Sequence, residues 1–277
     1  MLPQRLSILG DTIIGHLEGF GEFVRFAGAG AKATVTAGTR WARPHLIMPQ
    51  FYEVGTRSIP VVMLVGAFVG MVLAVEMYSQ FAAIGQESRI GGVINISVVK
   101  QIGPVLAAVM IAGRVGGSFS AQLGTMRVTE QIDAMRAMGV DPVAHLVVPR
   151  VVACVLMVPM LTVFSNVLGI LGGYLVTVHG YGVNATEYWE FTSRFVDAYD
   201  LLTGLAKALV FGLWIGLIST YKGFTCQPGA AGVGRATTEA FVISFIAIIV
   251  SNFFLATFLR DVYVTLYGSE GPGAFGG

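Results

Sequence analysis

Several polar side chains fall inside long apolar stretches of this sequence, where a charge is energetically expensive. Glu76 lies in the first stretch, and Lys100, Gln101 and Arg114 lie in the second. A charge at mid-bilayer costs roughly 2.5–3.5 kcal/mol even on lenient insertion scales, so it must face a cavity or a partner. We predict a substrate site of Leu73, Glu76, Lys100 and Gln101, in which Glu76 is the charge opposite Lys100. A purely structural pair is the alternative, and Arg114 is expected to snorkel.

Residues that could break bonds form no recognisable catalytic group. The four histidines are scattered and contain no i, i+4 metal-binding pair. No G-x-S-x-G nucleophile elbow occurs, and the glycine-containing segment 28–34 has the wrong spacing for a phosphate-binding loop. Cys154 and Cys226 are expected to be inert thiols. The sequence thus indicates a non-catalytic chain that holds no metal or cofactor of its own.

A short helix is predicted in the segment 121–142, between the second and third apolar stretches. Thr125 or Thr129 can cap the start of this helix. Gly139 fits the position just after its end, and Asp141, which precedes a proline, fits the start of the next helix. The segment should therefore form a helix between two membrane spans rather than an irregular loop.

The predicted helix has an apolar stripe beside a charged face. The stripe consists of Val128, Ile132 and Met135, and the charged face consists of Arg127, Glu130 and Asp133. Such a helix can insert its stripe into the groove of a soluble partner. It can equally lie on its own bundle or on lipid, and the periodicity does not choose between these arrangements.

The composition of the 277-residue chain indicates an all-α integral membrane protein. Charged residues are 12% of the chain, against about 25% in soluble proteins, and hydrophobic residues are 55%. This hydrophobicity excludes a disordered protein, and two cysteines are too few for a disulfide-stabilised scaffold. A net charge of +1 does not provide the positive charge that binding to nucleic acid requires. Five stretches are long enough to span a bilayer, namely 58–78, 93–120, 147–178, 201–221 and 240–259. Candidate kinks are Pro104, Pro149 and Pro159.

The remaining segments suggest a topology. The N-terminal stretch has helical apolar periodicity but too much charge to span, so we predict an interfacial amphipathic helix; a soluble helix packed on a partner is the alternative. Eleven of the seventeen basic residues fall in segments that are inner if the N-terminus is cytoplasmic, which places the C-terminus outside. We predict an interfacial segment at 1–57, a five-helix membrane domain at 58–262 and a flexible tail at 263–277.

The segment Ala121 to Pro142 resembles the MlaE/YrbE permease family, the membrane subunits of Mla- and Mce-type ABC lipid transporters. Segments 102–116 and 234–238 also match, and the three matches occur in the family's order. The resemblance implies an N-terminal interfacial helix, five spans and a homodimer. This sequence departs from the family's pattern at Gln101 and Gln122, where the family commonly has acids.

The resemblance also implies partners and a substrate. It implies a cytoplasmic ABC ATPase dimer that binds ATP and Mg²⁺, an MCE-domain protein on the periplasmic side, and in some members a small cytoplasmic accessory subunit. The loop at about 121–147 would seat in the ATPase. Its coupling residues would be Arg127, Glu130, Ile132, Asp133, Met135 and Arg136, with Ile132 and Met135 as apolar anchors. A phospholipid or related lipid would move between the bacterial inner membrane and the MCE-domain carrier.

Two other functions are compatible with parts of the sequence. Glu76 and Lys100 could serve an ion-coupled secondary transporter of a lipophilic substrate, although the repeats typical of that class are lacking. An intramembrane lipid enzyme would need a catalytic constellation, which the sequence does not contain.

Overall fold

The computed structural model describes residues 2–36 and 43–267, with side chains described for residues 17–36 and 43–265. Within these residues the secondary structure is helical and includes no strand, which confirms the all-α prediction. Three helices lie outside the membrane spans and are called α1, α2 and α3. They are Leu2–Thr36, Gln131–Ala137 and Ala185–Phe195.

Five helical segments in the described part of the chain are long and apolar enough to cross a membrane, so the protein is a multi-pass membrane protein. We call them spans one to five: Pro44–Ala82, Glu87–Val128, Val143–Gly180, Ala198–Phe224 and Ala230–Thr265. The predicted number is confirmed. Each span extends beyond the predicted apolar stretch, because the helix continues through more polar residues at its ends.

The span boundaries differ from the predicted segments at both ends of the chain. Span one begins as the helix Pro44–Phe51 and continues through the π-helical turn Tyr52–Thr56 into the helix Ile59–Ala82. A helical unit therefore runs through the predicted boundary at residue 57. The last helix ends at Tyr267, so the first residues of the predicted flexible tail are helical. The rest of that tail lies outside the described residues.

Span two is interrupted by two π-helical turns. Regular helix is found at Ile90–Ser97, Gly103–Ile111 and Gly117–Val128, and the turns between them are Val98–Ile102 and Ala112–Gly116. Pro104 follows the first turn, and its missing N–H explains why regular hydrogen bonding fails there. A π turn also precedes Pro149, whereas Pro159 lies inside a continuous helix.

Glycines allow span three to approach span one at backbone distance. A Cβ added at Gly66 would lie 2.5 Å from the carbonyl oxygen of Ser165, and one at Gly70 would overlap the carbonyl oxygen of Gly169. Only a residue without a side chain fits such contacts. Gly66 and Gly70 of span one therefore form a helix-packing surface.

A second glycine pair packs span four on span three. A Cβ at Gly212 would lie 2.6 Å from the carbonyl oxygen of Cys154, and one at Gly216 would lie 2.9 Å from the Cα of Val151. In span two, by contrast, no atom lies within 4 Å of a Cβ built at Gly117. The glycine pairs of spans one and four thus make span three the centre of the bundle.

Helix α1 packs against span four through aromatic side chains. Phe23 contacts Trp214 and Tyr221, with ring centroids 6.5 and 5.4 Å apart, and Phe26 contacts Phe224 at 5.6 Å. Other apolar side chains of α1 remain exposed, namely Leu17, Phe20 and Val24. The predicted helix is confirmed, although Leu6, Leu9 and Ile13 of its apolar stripe lie outside the described side chains.

Helix α3 is held to span two by a buried hydrogen-bond network. The Tyr188 hydroxyl donates to Oδ1 of Asn95 at 3.1 Å, and the Asn95 amide donates to Oγ1 of Thr192 at 2.8 Å. Tyr188 and Asn95 are fully buried. Burial raises the pKa of Tyr188 to about 12, so the phenol remains a neutral donor at physiological pH.

We expect Tyr188→Phe to destabilise the protein by about 1–3 kcal/mol, because it leaves the Asn95 oxygen buried without a donor. Thermal unfolding followed by fluorescence of Trp189, whose ring lies 5.5 Å from Tyr188, measures the change. Tyr181→Phe is the control, since the Tyr181 ring only stacks on Tyr78 at 3.9 Å. Equal melting of both variants would contradict the role of the network.

Candidate functional site

Lys100 forms its ion pair with Asp200 of span four. The Nζ atom lies 2.7 Å from Oδ1, and the Asp200 side chain is nearly buried. Oδ2 of Asp200 accepts a hydrogen bond from the backbone N–H of Asp197. Asp197 is the N-cap residue of span four. The prediction that Glu76 is the partner of Lys100 is therefore wrong. The Glu76 side chain is instead exposed on the surface of span one.

Lys207 of span four is buried beside the same segment of span two. Its Nζ donates to Oε1 of Gln101 at 2.6 Å and to the carbonyl oxygen of Lys100 at 3.2 Å. That carbonyl is free of its helical partner because Pro104, four residues later, has no N–H. The proline thus exposes an acceptor that binds the lysine.

A cavity of about 320 Å³ lies between spans two, four and five at this position, and several polar and charged side chains are among its lining residues. Its lining residues are Ile96, Ser97, Lys100, Gln101, Tyr199, Thr203, Lys207, Ala256, Leu259, Arg260 and Tyr263. Of the four residues predicted for the substrate site, the consecutive residues Lys100 and Gln101 line this cavity. Leu73 lies elsewhere, packed beside Ala74, Ile90 and Ile94, and Glu76 does not line the cavity.

The contribution of span four to this site was missed in the sequence. Asp200, Thr203 and Lys207 follow one another at helical spacings of three and four, so they share one face of the helix. A polar stripe at the start of an apolar helix is the signal that could have identified them.

An apolar cavity of about 990 Å³ lies between α1, span four and span five. Phe20 and Phe23 line it from α1, Trp214 from span four, and Ile246 and Phe254 from span five. Its size and apolar lining fit a hydrocarbon ligand.

Helix α2 begins later than predicted. The helix of span two continues to Val128, and the hydroxyls of Thr125 and Thr129 bond back to backbone carbonyls within it at 2.8 and 2.9 Å. Neither threonine caps α2, because both still belong to the preceding helical turns. The chain changes direction at Glu130, which has a left-handed φ of 60° and precedes Gln131.

The predicted end of α2 is confirmed. Gly139 has a φ of 74°. Its N–H donates to the carbonyl oxygen of Arg136 at 3.0 Å, and the N–H of Val140 donates to the carbonyl oxygen of Met135 at 3.0 Å. This is a Schellman motif. Oδ1 of Asp141 accepts a hydrogen bond from the backbone N–H of Val143 at 2.9 Å. Asp141 thus caps the start of span three, as predicted.

Two of the three residues of the predicted apolar stripe pack on the protein's own bundle, whereas the third, Val128, is exposed at the end of span two. Ile132 is fully buried, and Met135 is half-buried against the same cluster, which contains Leu123, Leu146 and Phe224. Ile132 is therefore not available as an anchor for a soluble partner, contrary to the expectation from the family resemblance. Of the arrangements left open by the periodicity, the structure adopts a helix on its own bundle.

The charged face of α2 remains exposed. Asp133 accepts two hydrogen bonds from Nη1 of Arg127, at 2.9 and 2.7 Å, and a third from Arg136 at 3.0 Å. Glu130 is exposed at the start of the helix, and Met138, which follows its end, is 71% exposed. We call these five residues the α2 surface.

A second buried cation faces an amide. Arg150 of span three is almost completely buried, and its Nη2 donates to Oε1 of Gln122 at 3.1 Å. Its guanidinium also lies 5.5 Å from the ring of Phe119. Gln122 and Gln101 are the two positions at which this sequence departs from the acids of the family's pattern. Each glutamine accepts a hydrogen bond from a buried cation, Gln122 from Arg150 and Gln101 from Lys207.

Two further sequence predictions have outcomes in the structure. Arg114 does not snorkel, because its Nη1 donates to Oγ of Ser58 at 2.6 Å and so ties span two to span one. Cys154 and Cys226 are free thiols rather than a disulfide. Burial raises the pKa of the Cys226 thiol, which disfavours the reactive thiolate.

Comparison with known proteins supplies relatives along most of the chain. Residues 47–258 match a family model described as Permease MlaE. A Rickettsia felis protein named "Probable ABC transporter permease protein" is 39% identical over 259 residues, which cover 92% of this chain and 97% of that protein. A Synechocystis protein with a similar name is 43% identical over 209 residues, covering 76% and 80%. The "Intermembrane phospholipid transport system permease protein MlaE" of Haemophilus influenzae is 30% identical over 264 residues, covering 94% and 98%.

Proposed function

This chain belongs to the MlaE permease family, and from that membership we propose that it is the membrane subunit of an ABC-type lipid transporter. It moves a phospholipid or a related lipid between the bacterial inner membrane and an MCE-domain carrier on the outer side. The family match over residues 47–258 carries the proposal. Two further features support it: the apolar cavity of about 990 Å³, which suits the acyl chains of a lipid, and the cationic side chains that line the smaller cavity.

We propose that ATP hydrolysis takes place in a separate cytoplasmic ATPase dimer, which binds the nucleotide and Mg²⁺. The α2 surface would contact it, with Arg127, Glu130, Asp133 and Arg136 offering charge. Ile132 and Met135 would act indirectly, by fixing α2 to the bundle so that movement of α2 is transmitted to spans two and three. The N-terminus would be cytoplasmic and the C-terminus outside, since the connections at the α2 end of the bundle are rich in basic residues.

The proposed complex contains a second copy of the chain. Glu76 is exposed on span one beside Val72 and Val75, which are also exposed. A carboxylate that faces lipid is unfavourable, so a partner or a cavity must cover it. A second permease on this face would shelter Glu76, and Leu73 and Glu76 would then contribute to a lipid pathway that Lys100 and Gln101 line from span two.

Reconstitution of the permease with its ATPase in proteoliposomes tests the proposal. A fluorescent phospholipid should leave the donor membrane for the carrier only when ATP is supplied, and its mass should not change. Transport by the permease alone, driven by an ion gradient without ATP, would instead identify a secondary transporter. Lipid products of altered mass would identify an enzyme.

A further inference from the structure

The cavity between spans two, four and five is lined by more positively than negatively charged side chains. Lys100, Lys207 and Arg260 line it, and no acidic residue is among its lining residues in the described part of the chain. Asp200 lies nearby, but both of its carboxylate oxygens are engaged, one by Lys100 and one by the backbone of Asp197. The cavity therefore retains positive charge that Asp200 does not balance.

Lys207 contributes most to this excess. Its side chain is 1% exposed, and its hydrogen-bond partners are the neutral oxygens of Gln101 and of the Lys100 backbone. A buried ammonium ion is costly unless an opposite charge accompanies it. An amide oxygen accepts a hydrogen bond but supplies no negative charge, so the hydrogen-bond partners of Lys207 in the described structure give it no counter-charge.

A second buried donor faces the same space. Oγ1 of Thr203 is buried and has no hydrogen-bond partner in the described structure, although Thr203 lines the cavity. A buried hydroxyl without a partner costs free energy. Thr203 and Lys207 are four residues apart on one helix face, so a single group in the cavity could accept from both.

The position of the cavity indicates where its occupant comes from. Tyr199 and Tyr263 line the cavity with ring centroids 4.8 Å apart, and the Tyr199 hydroxyl donates to the carbonyl of Leu259. Tyrosines are enriched at the level of lipid headgroups. Arg260, which is exposed, lines the cavity at the same end of span five.

We propose that this cavity binds the phosphodiester group of a phospholipid, with Lys207 and Thr203 donating to its oxygens and Arg260 contributing charge. The ammonium of Lys207 supplies the main electrostatic attraction. Inorganic phosphate in water offers the same chemistry as a lipid phosphodiester. The assignment of this group to a lipid therefore rests on the proposed transport function.

The test compares phosphatidylglycerol with a diacylglycerol of the same short acyl chains, using binding to the purified full-length permease. We expect wild-type protein to bind phosphatidylglycerol at least about tenfold more tightly. Gln101→Glu should abolish this preference, because the new carboxylate satisfies Lys207 internally at the same position. Thr203→Val should reduce it. Binding of diacylglycerol should be unchanged in both variants.

Arg194→Gln is the control, because it removes an exposed positive charge on α3 without touching the cavity. Inorganic phosphate that binds to wild type but not to Gln101→Glu, without any preference for phosphatidylglycerol, would support the anion site and assign its ligand to the aqueous phase. Equal affinities for the two lipids in wild type, with no binding of inorganic phosphate, would overturn the proposal. Failure of the proposed transport function would instead appear as a retained preference for phosphatidylglycerol without ATP-dependent movement of lipid in the proteoliposomes.

Discussion

Gly70→Ala is expected to destabilise the five-helix bundle by about 3 kcal/mol or more, at the upper end of the usual range for overpacking. The added methyl group would overlap the carbonyl oxygen of Gly169 on span three. A backbone atom cannot move aside by changing rotamer, so spans one and three must separate along this contact. Thermal unfolding in detergent, followed by the monodispersity of the protein on size exclusion, measures the loss.

Gly117→Ala is the matched control, because it makes the same chemical change within a membrane span. No atom lies within 4 Å of a Cβ at Gly117, and alanine favours helix over glycine by roughly 0.5–1 kcal/mol. The control should therefore melt at or slightly above the wild-type temperature. If the two variants melted alike, the close contact between spans one and three would not determine stability.

In the proposed complex with an ATPase, Asp133→Arg is expected to lower lipid-stimulated ATP hydrolysis roughly tenfold or more, equivalent to about 1.4 kcal/mol or more of coupling. The substitution replaces the acceptor of Arg127 and Arg136 with a third positive charge. Positive charges on the α2 surface would then repel one another, whereas in the wild type its positive and negative charges are balanced. Co-purification of the ATPase with the permease measures the loss of contact directly.

Two variants separate coupling from folding. Glu190→Arg reverses an acid on α3 that is 53% exposed and paired with an arginine, and Asp133 is itself 49% exposed. Exposed pairs contribute only about 0–1 kcal/mol, so both charge reversals should leave the melting temperature close to wild type. Asp133→Asn removes the pairs without reversing the charge and should reduce coupling less. Unchanged ATPase activity in Asp133→Arg would exclude a coupling role for this residue.

Features determined by local chemistry could be predicted from the sequence. Gly139 and Asp141 marked the end of one helix and the start of the next correctly, because a left-handed turn and a helix cap depend on neighbouring backbone atoms. The number of spans depends on the length of apolar runs, and it too was predicted. The start of α2 was missed because the helix of span two continues past its last apolar turn to Val128.

Features that depend on contacts between distant segments could not be derived. Glu76 and Asp200 are both carboxylates that could have paired with Lys100, and only the packing of span four against span two places Asp200 there. Ile132 belongs to an apolar stripe that fits either a partner or the bundle, and the bundle provides the cluster that covers it. The departure at Gln101 and the charge of Lys207 within an apolar stretch were visible in the sequence, whereas the contact between the two side chains was not.

The π-helical turns of span two also determine which way its side chains point. Each such turn accommodates about one extra residue, and one residue of an α-helix corresponds to a rotation of about 100°. Lys100 and Arg114 lie within different π turns. A helical wheel drawn through the whole span would therefore assign wrong relative directions to these two cations. Span two behaves as three short helices joined end to end, each with its own angular reference.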